Sequence, residues 1–125
     1  MAKDDELVED VLEDGRISIS KEVISTIAGL AATEVPGVAP PKVGSMPKGE
    51  AVRRLVETEI LGGRVKLGLK VGVLYGHPVQ EVADELQVRV KEAVEKMTAL
   101  PVDQVDVEVV RVAFKEPGDE RKKER

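Results

Sequence analysis

His77 is the only histidine in the chain, and histidine is the residue type best suited to moving protons near neutral pH. A Ser-His-Asp triad built on it would draw its nucleophile from Ser18, Ser20, Ser25 or Ser45. None of these serines stands in a Gly-x-Ser-x-Gly elbow. Within Gly76-His77-Pro78, a turn or helix-capping role accounts for the histidine without chemistry. Glu57 and Glu59 stand two apart, so on a strand both would face the same way and could hold a hard cation. Exposed acids that keep a strand soluble are the simpler reading. The chain has no cysteine, which excludes disulfides, thiolate catalysis and cysteine-based zinc sites.

Phosphate cradles fail in the same way. Neither Gly-x-Gly-x-x-Gly nor the Walker pattern occurs, and Gly68, Gly72 and Gly76 recur along a strand pattern rather than in a loop before a helix. Glycines so placed serve twist or the close approach of a neighbour. RNA-binding sheets stack bases on aromatic rings, and this chain has only Tyr75 and Phe114. A KH module would need a Gly-x-x-Gly loop, and no such spacing exists. No catalytic residue, metal ligand, cofactor or nucleic-acid partner is expected on these grounds.

The elements that carry these residues follow from charge and periodicity. Residues 1–14 hold seven acids against Lys3 alone, while residues 15–114 balance acids with bases. A neutral body has no general pull on nucleic acid or anionic lipid and associates readily with itself. The first 14 residues read as an acidic arm, mobile or docked as a short helix through Leu7, Val8, Val11 and Leu12. Residues 15–114 read as a single domain, and 115–125 as a charged, solvated, disordered tail. No apolar run reaches the ~20 residues that span a bilayer. The amino terminus is not a signal peptide. A cytoplasmic protein without direct membrane insertion is expected.

Arg16 to Ser20 alternates like a half-buried strand, and Ser20 is a good N-cap for a helix that follows. From Val23 to Thr33 that helix has no charged residue, although charged residues make up 34% of the chain. Such a helix must be covered on more than one side. One stripe is Ile24, Ile27, Ala31 and Val35. A second, flat face is Ser25, Ala28, Gly29 and Ala32, whose small side chains let another backbone approach closely. Pro36 ends the helix. Ala39 to Gly49 reads as a loop, and a strand lies within Val52 to Leu61. Gly62-Gly63 then marks a hairpin. Val65, Leu67, Leu69, Val71, Val73 and Tyr75 form one strand face, with Lys66, Gly68, Lys70, Gly72 and Leu74 opposite: a sheet covered on one side. Pro78 opens a second helix with a stripe of Val79, Val82, Ala83, Leu86, Val90, Ala93, Val94 and Met97. The last strand spans Val102 to Phe114, and its apolar phase slips by one after Val109, as a β-bulge would make it. The order β-α-β-β-α-β defines an α+β, two-layer α/β sandwich. Its sheet is small, mostly antiparallel or mixed, with two helices on one face.

Three stretches together, GRISISKEVISTIAGLAATEVPGV, VKLGLKVGVLYGHPVQEVADELQVRVKEAVEKMTAL and VDQVDVEVVRVAF, resemble the bacterial alkaline shock protein family, also described as envelope stress response proteins. The resemblance covers Gly15 to Phe114. Its most specific pieces are Glu34-Val35-Pro36-Gly37-Val38, the Tyr75-Gly76 corner and Met97-Thr98. It implies a non-enzymatic bacterial protein, cytoplasmic, self-associating and linked to envelope or general stress. In some members a separate partner protein holds it near the membrane. A regulator of fatty-acid synthesis acting on acetyl-CoA carboxylase components is the alternative it implies. The family brings no catalytic motif. The Ser25, Ala28, Gly29 and Ala32 face is the expected docking surface for a partner or a second copy, unless another part of the chain covers it.

Overall fold

The computed structural model describes residues 7–12, 15–41 and 44–114. The expected tail, 115–125, lies outside them. The elements run β1 (Leu7–Leu12), β2 (Gly15–Ser20), α1 (Lys21–Thr33), α2 (Lys48–Arg53), β3 (Val56–Leu61), β4 (Arg64–Leu74), α3 (Val79–Thr98) and β5 (Val102–Ala113). Without β1 and α2 this is the expected β-α-β-β-α-β order. The fold is α+β, with helices packed on a three-stranded mixed sheet.

β4 is the central strand, between β3 and β5. It pairs antiparallel with β3 through the Gly62-Gly63 turn, where both glycines have positive φ, and parallel with β5 across α3. Val65, Leu67, Leu69, Val71 and Val73 are all buried, while Lys66 and Lys70 face solvent. Ile24, Ala28 and Ala32 of α1 and Val82, Leu86, Val90 and Val94 of α3 close over that face. The other face of the sheet stays open, as the alternation predicts. Tyr75 is a correction: it lies beyond the end of β4 and is exposed. At the ends of the α3 stripe, Val79 and Met97 are exposed too. Pro78 caps the helix from outside, one position before the expected one.

The segment after α1 is part of the sheet. Pro36 stops the helix, and Gly37 turns with φ +94°. The backbone then runs beside the end of β4: Leu74 N donates to Gly37 O and Ala39 N to Gly72 O, both at 2.8 Å. Val38 bridges Val73. The Glu34-Val35-Pro36-Gly37-Val38 motif thus ends a helix and fills the place beside β4 that β3 is too short to reach.

Three readings change. Residues 7–12 of the acidic arm form a strand, neither a mobile arm nor a helix. β1 pairs antiparallel with β2, Leu7 opposite Ser20 and Leu12 opposite Gly15. β2 therefore belongs to a separate two-stranded ribbon and not to the main sheet. The loop after α1 is also shorter than expected, because α2 takes Lys48–Arg53 and β3 begins at Val56. The phase slip in β5, by contrast, is borne out as a register shift: Val109 pairs with Val71 but Arg111 with Gly72, leaving Val110 as the extra residue. That is the bulge its sequence predicts. A second shift, at Asp103, had no apolar signature in the sequence.

Candidate functional site

The small face of α1 is occupied by the chain itself. Ser25, Ala28, Gly29 and Ala32 are all buried. Ala28 and Ala32 face the sheet core, Ser25 meets β3, and Gly29 is covered by α2, whose Ala51 and Val52 are buried. A Cβ on Gly29 would stand 2.3 Å from Val52 O and 2.7 Å from Val52 C, so the two backbones touch there. The expected docking surface is thus an internal contact, for the reason its residue types suggest: small side chains admit a backbone. What the sequence did not show is that the backbone is this chain's own.

Beside that contact, Ser25 Oγ and Thr58 Oγ1 are 2.7 Å apart and buried, joining α1 to β3. Each hydroxyl is the other's partner. Ser25→Ala should therefore cost about 1–3 kcal/mol by leaving Thr58 unpaired. Adding Thr58→Val should recover most of the loss, and urea unfolding of the two variants measures both. Arg53 ties α2 to the start of α1, with Nη2 at 3.3 Å from Glu22 Oε2.

The other candidate residues remain apart. His77 is exposed in the turn before α3, with its ring against Gly37. Ser20 caps α1 by accepting from Val23 N at 3.2 Å. Glu57 and Glu59 face solvent on β3, opposite Gly68 and Lys66. Among the described residues no three His, Cys, Asp or Glu side chains come together as metal ligands would. Gly72 does admit a close neighbour. The Arg111 side chain lies over it, and a Cβ there would meet Arg111 Cγ at 3.0 Å. Arg64 holds the Asp103 carboxyl below its ordinary range, chiefly through direct hydrogen bonds and also by its charge, on an exposed corner of the sheet.

Two features of the surface are left uncovered. The first is the outer side of β5, and most of it is blunted. The bulges at Asp103 and Val110 break its regularity, Gln87 of α3 donates to Val105 O at 3.1 Å, and Val102 N donates to Glu95 Oε2 at 3.0 Å. Acids at Asp103, Asp106 and Glu108 add charge. Bulges, plugs and charges are how edge strands avoid unwanted pairing. Beyond the bulge at Val110, Arg111 is the one charged residue among the described residues of the strand. The second feature lies there: Tyr75 and Phe114 stack with centroids 5.2 Å apart at 28°, 72% and 65% exposed. Val110 and Val112 are exposed beside them. A shallow groove of about 430 Å³ runs between Leu74, Tyr75, Pro78, Val79 and Val112. The sequence missed this patch by placing Tyr75 on the buried face. The phase slip after Val109 was the available signal, since residues past a bulge leave the layer the helices cover.

Geometry of this kind defines a small two-layer α/β domain whose distinctive surface is apolar and aromatic. The chain belongs to the alkaline shock protein 23 family, described as having a cell envelope-related function, whose model matches residues 9–114. It is 32% identical over 117 residues to the uncharacterized protein YloU of Bacillus subtilis, covering 82% of this chain and 92% of that one. To the uncharacterized protein YqhY of the same organism it is 27% identical over 107 residues, with coverages of 80% and 78%. Among solved structures, the MamM CTD D249N zinc form is similar at 20% identity and a TM-score of 0.48, covering 79% of this chain and 90% of that one. No described helix is long and apolar enough to cross a membrane.

Proposed function

We propose that this chain is a non-enzymatic interaction protein that self-associates in the cytoplasm and serves the cell envelope under envelope or general stress. The observation that carries the reading is the exposed Tyr75–Phe114 stack with Val110 and Val112 at the end of β5. Stacked rings flanked by aliphatic side chains at the end of an edge strand make a surface suited to burial against protein. The family's cell envelope-related description supports the biological setting. A membrane-held partner protein would bring the domain to the envelope.

Light scattering at micromolar concentration tests the reading. Oligomers are expected for the unaltered chain, and Tyr75→Ser with Phe114→Ser should weaken association at least about tenfold, since each ring removed from contact is worth roughly 1.5–3 kcal/mol. Both rings are exposed, so the monomer's unfolding midpoint should hardly move. A strict monomer before substitution would count decisively against self-association.

A further inference from the structure

We propose that two copies of this chain join edge to edge, β5 antiparallel to β5, about a two-fold axis between Val109 and Val110. The inference rests on the self-association reading and gives it a surface and a register.

β5 has β4 on one side and no strand of its sheet on the other. Its first part is plugged from α3, where Glu95 takes Val102 N and Gln87 takes Val105 O. The stretch that follows, Val107 to Val112, reads Val-Glu-Val-Val-Arg-Val. Reversed, it is the same pattern with Glu and Arg exchanged. Laid antiparallel on a second copy, it sets Val107 opposite Val112, Glu108 opposite Arg111 and Val109 opposite Val110. Each valine meets a valine and each acid a base, and such cross-strand pairs are stabilising. The contact is isologous, so it closes with two copies.

The bulge makes the faces agree. Before it, Val105, Val107 and Val109 pair with the buried Leu67, Leu69 and Val71, and so share the face that the helices cover. Glu108, beside Lys70, lies on the open face. After the bulge the phase is reversed: Val112 pairs with the buried Val73, and Arg111 with Gly72 on the open face. Opposed residues in a sheet must share a face. With the axis at the bulge, residues before it meet residues after it, and the two reversals of phase cancel. An edge that deters a regular strand therefore accepts its own copy. Moving the axis to Val107 or to Glu108 would set Asp106 against Glu108, or Glu108 against itself, which is destabilising.

Backbone groups agree with this register. Gln87 reaches Val105 O from outside the sheet, and Tyr75 N reaches Ala113 O from the β4 side. By alternation Val107 and Val112 turn their N–H and C=O outward, and the axis sets them opposite one another as a hydrogen-bonded pair. In a single copy the Arg111 side chain lies over Gly72. It is exposed and has no ion-pair partner among the described residues. A change of rotamer carries its guanidinium to Glu108 of the second copy.

Because the chain has no native cysteine, a disulfide reports the register. Full-length Glu108→Cys and Arg111→Cys variants are mixed at micromolar concentration, oxidised mildly and resolved by mass. Their opposed Cα atoms would lie about 4.5 Å apart, within disulfide reach. Two copies of either cysteine would be offset by three residues, roughly 10 Å along the strands. The mixed disulfide should exceed both homodimers several-fold. A predominance of Glu108→Cys homodimers would put the axis at position 108 and overturn the register. No disulfide from a chain that scatters as an oligomer overturns the edge contact and leaves self-association standing, whereas none from a monomer overturns both. Independently, Glu108→Arg should weaken association several-fold by setting arginine against arginine, and adding Arg111→Glu should recover most of the loss. Both positions are exposed, so the circular dichroism of these variants should not change. Unchanged association in Glu108→Arg, or no recovery in the exchanged pair, overturns the pairing of the two positions.

Discussion

Gly29→Leu is expected to destabilise the chain by about 3 kcal/mol, at the upper end of what overpacking costs. The reason is the partner atom. A Cβ at position 29 would lie 2.3 Å from Val52 O, and a backbone carbonyl in a helix cannot swing aside as a long side chain can. Either α1 and α2 separate, exposing Ala51 and Val52, or α1 shifts on the sheet and strains the Ser25–Thr58 bond. Replacing glycine in a helix ordinarily gains ~1 kcal/mol, so the packing penalty must exceed that gain before any loss is seen. Gly29→Ala separates the two effects, because it keeps the propensity gain and adds the smallest possible intrusion. It should still come out less stable than glycine, by about 1 kcal/mol. Urea midpoints at unchanged slope measure both. A loss below ~0.5 kcal/mol for leucine, the range of ordinary surface changes, would mean that α2 detaches at no cost.

Gly37→Ala is the second large effect expected, at about 2–4 kcal/mol. Two independent causes add. Position 37 has φ +94°, which costs an L-residue of order 1–2 kcal/mol. In addition, a Cβ there would stand 2.9 Å from His77 Cγ and from Val82 Cγ2, a crowding of the order of 1–3 kcal/mol. Because Leu74 N bonds Gly37 O, relief by moving the backbone would break the bridge to β4. His77→Ala in the Gly37→Ala background should restore part of the loss, since it removes one of the two crowding side chains. If it restores nothing, the imidazole is not what fills the space. His77 then has a concrete structural meaning: it closes the corner after α1.

The same two glycines show how far residue types alone could be read. Gly29 announced a close backbone approach, because a glycine in a charge-free helix has few other uses. It could not announce whose backbone, since α2 is only six residues long and too short to show helical periodicity. The core was legible for a different reason. A strand with one buried face alternates with period two, and β4 keeps that period over 11 residues. α3 could be recognised equally well, as its Val82, Leu86, Val90 and Val94 stripe recurs every four residues over a long helix. The bulge in β5 was visible because it shifts an alternation already established.

The sequence by itself determined the two-layer class, the buried face of the sheet and the helix stop at Pro36. All of these rest on local periodicity or on residues whose backbone preferences are intrinsic. Tertiary structure alone decided that β2 leaves the main sheet to pair with β1, since the alternation of a strand is the same whichever neighbour it takes. It alone decided that the small face of α1 is an internal contact. And it alone turned Tyr75 outward to stack on Phe114, because how far the helices extend over the sheet is set by the packing of the layers and not by the pattern of any one strand.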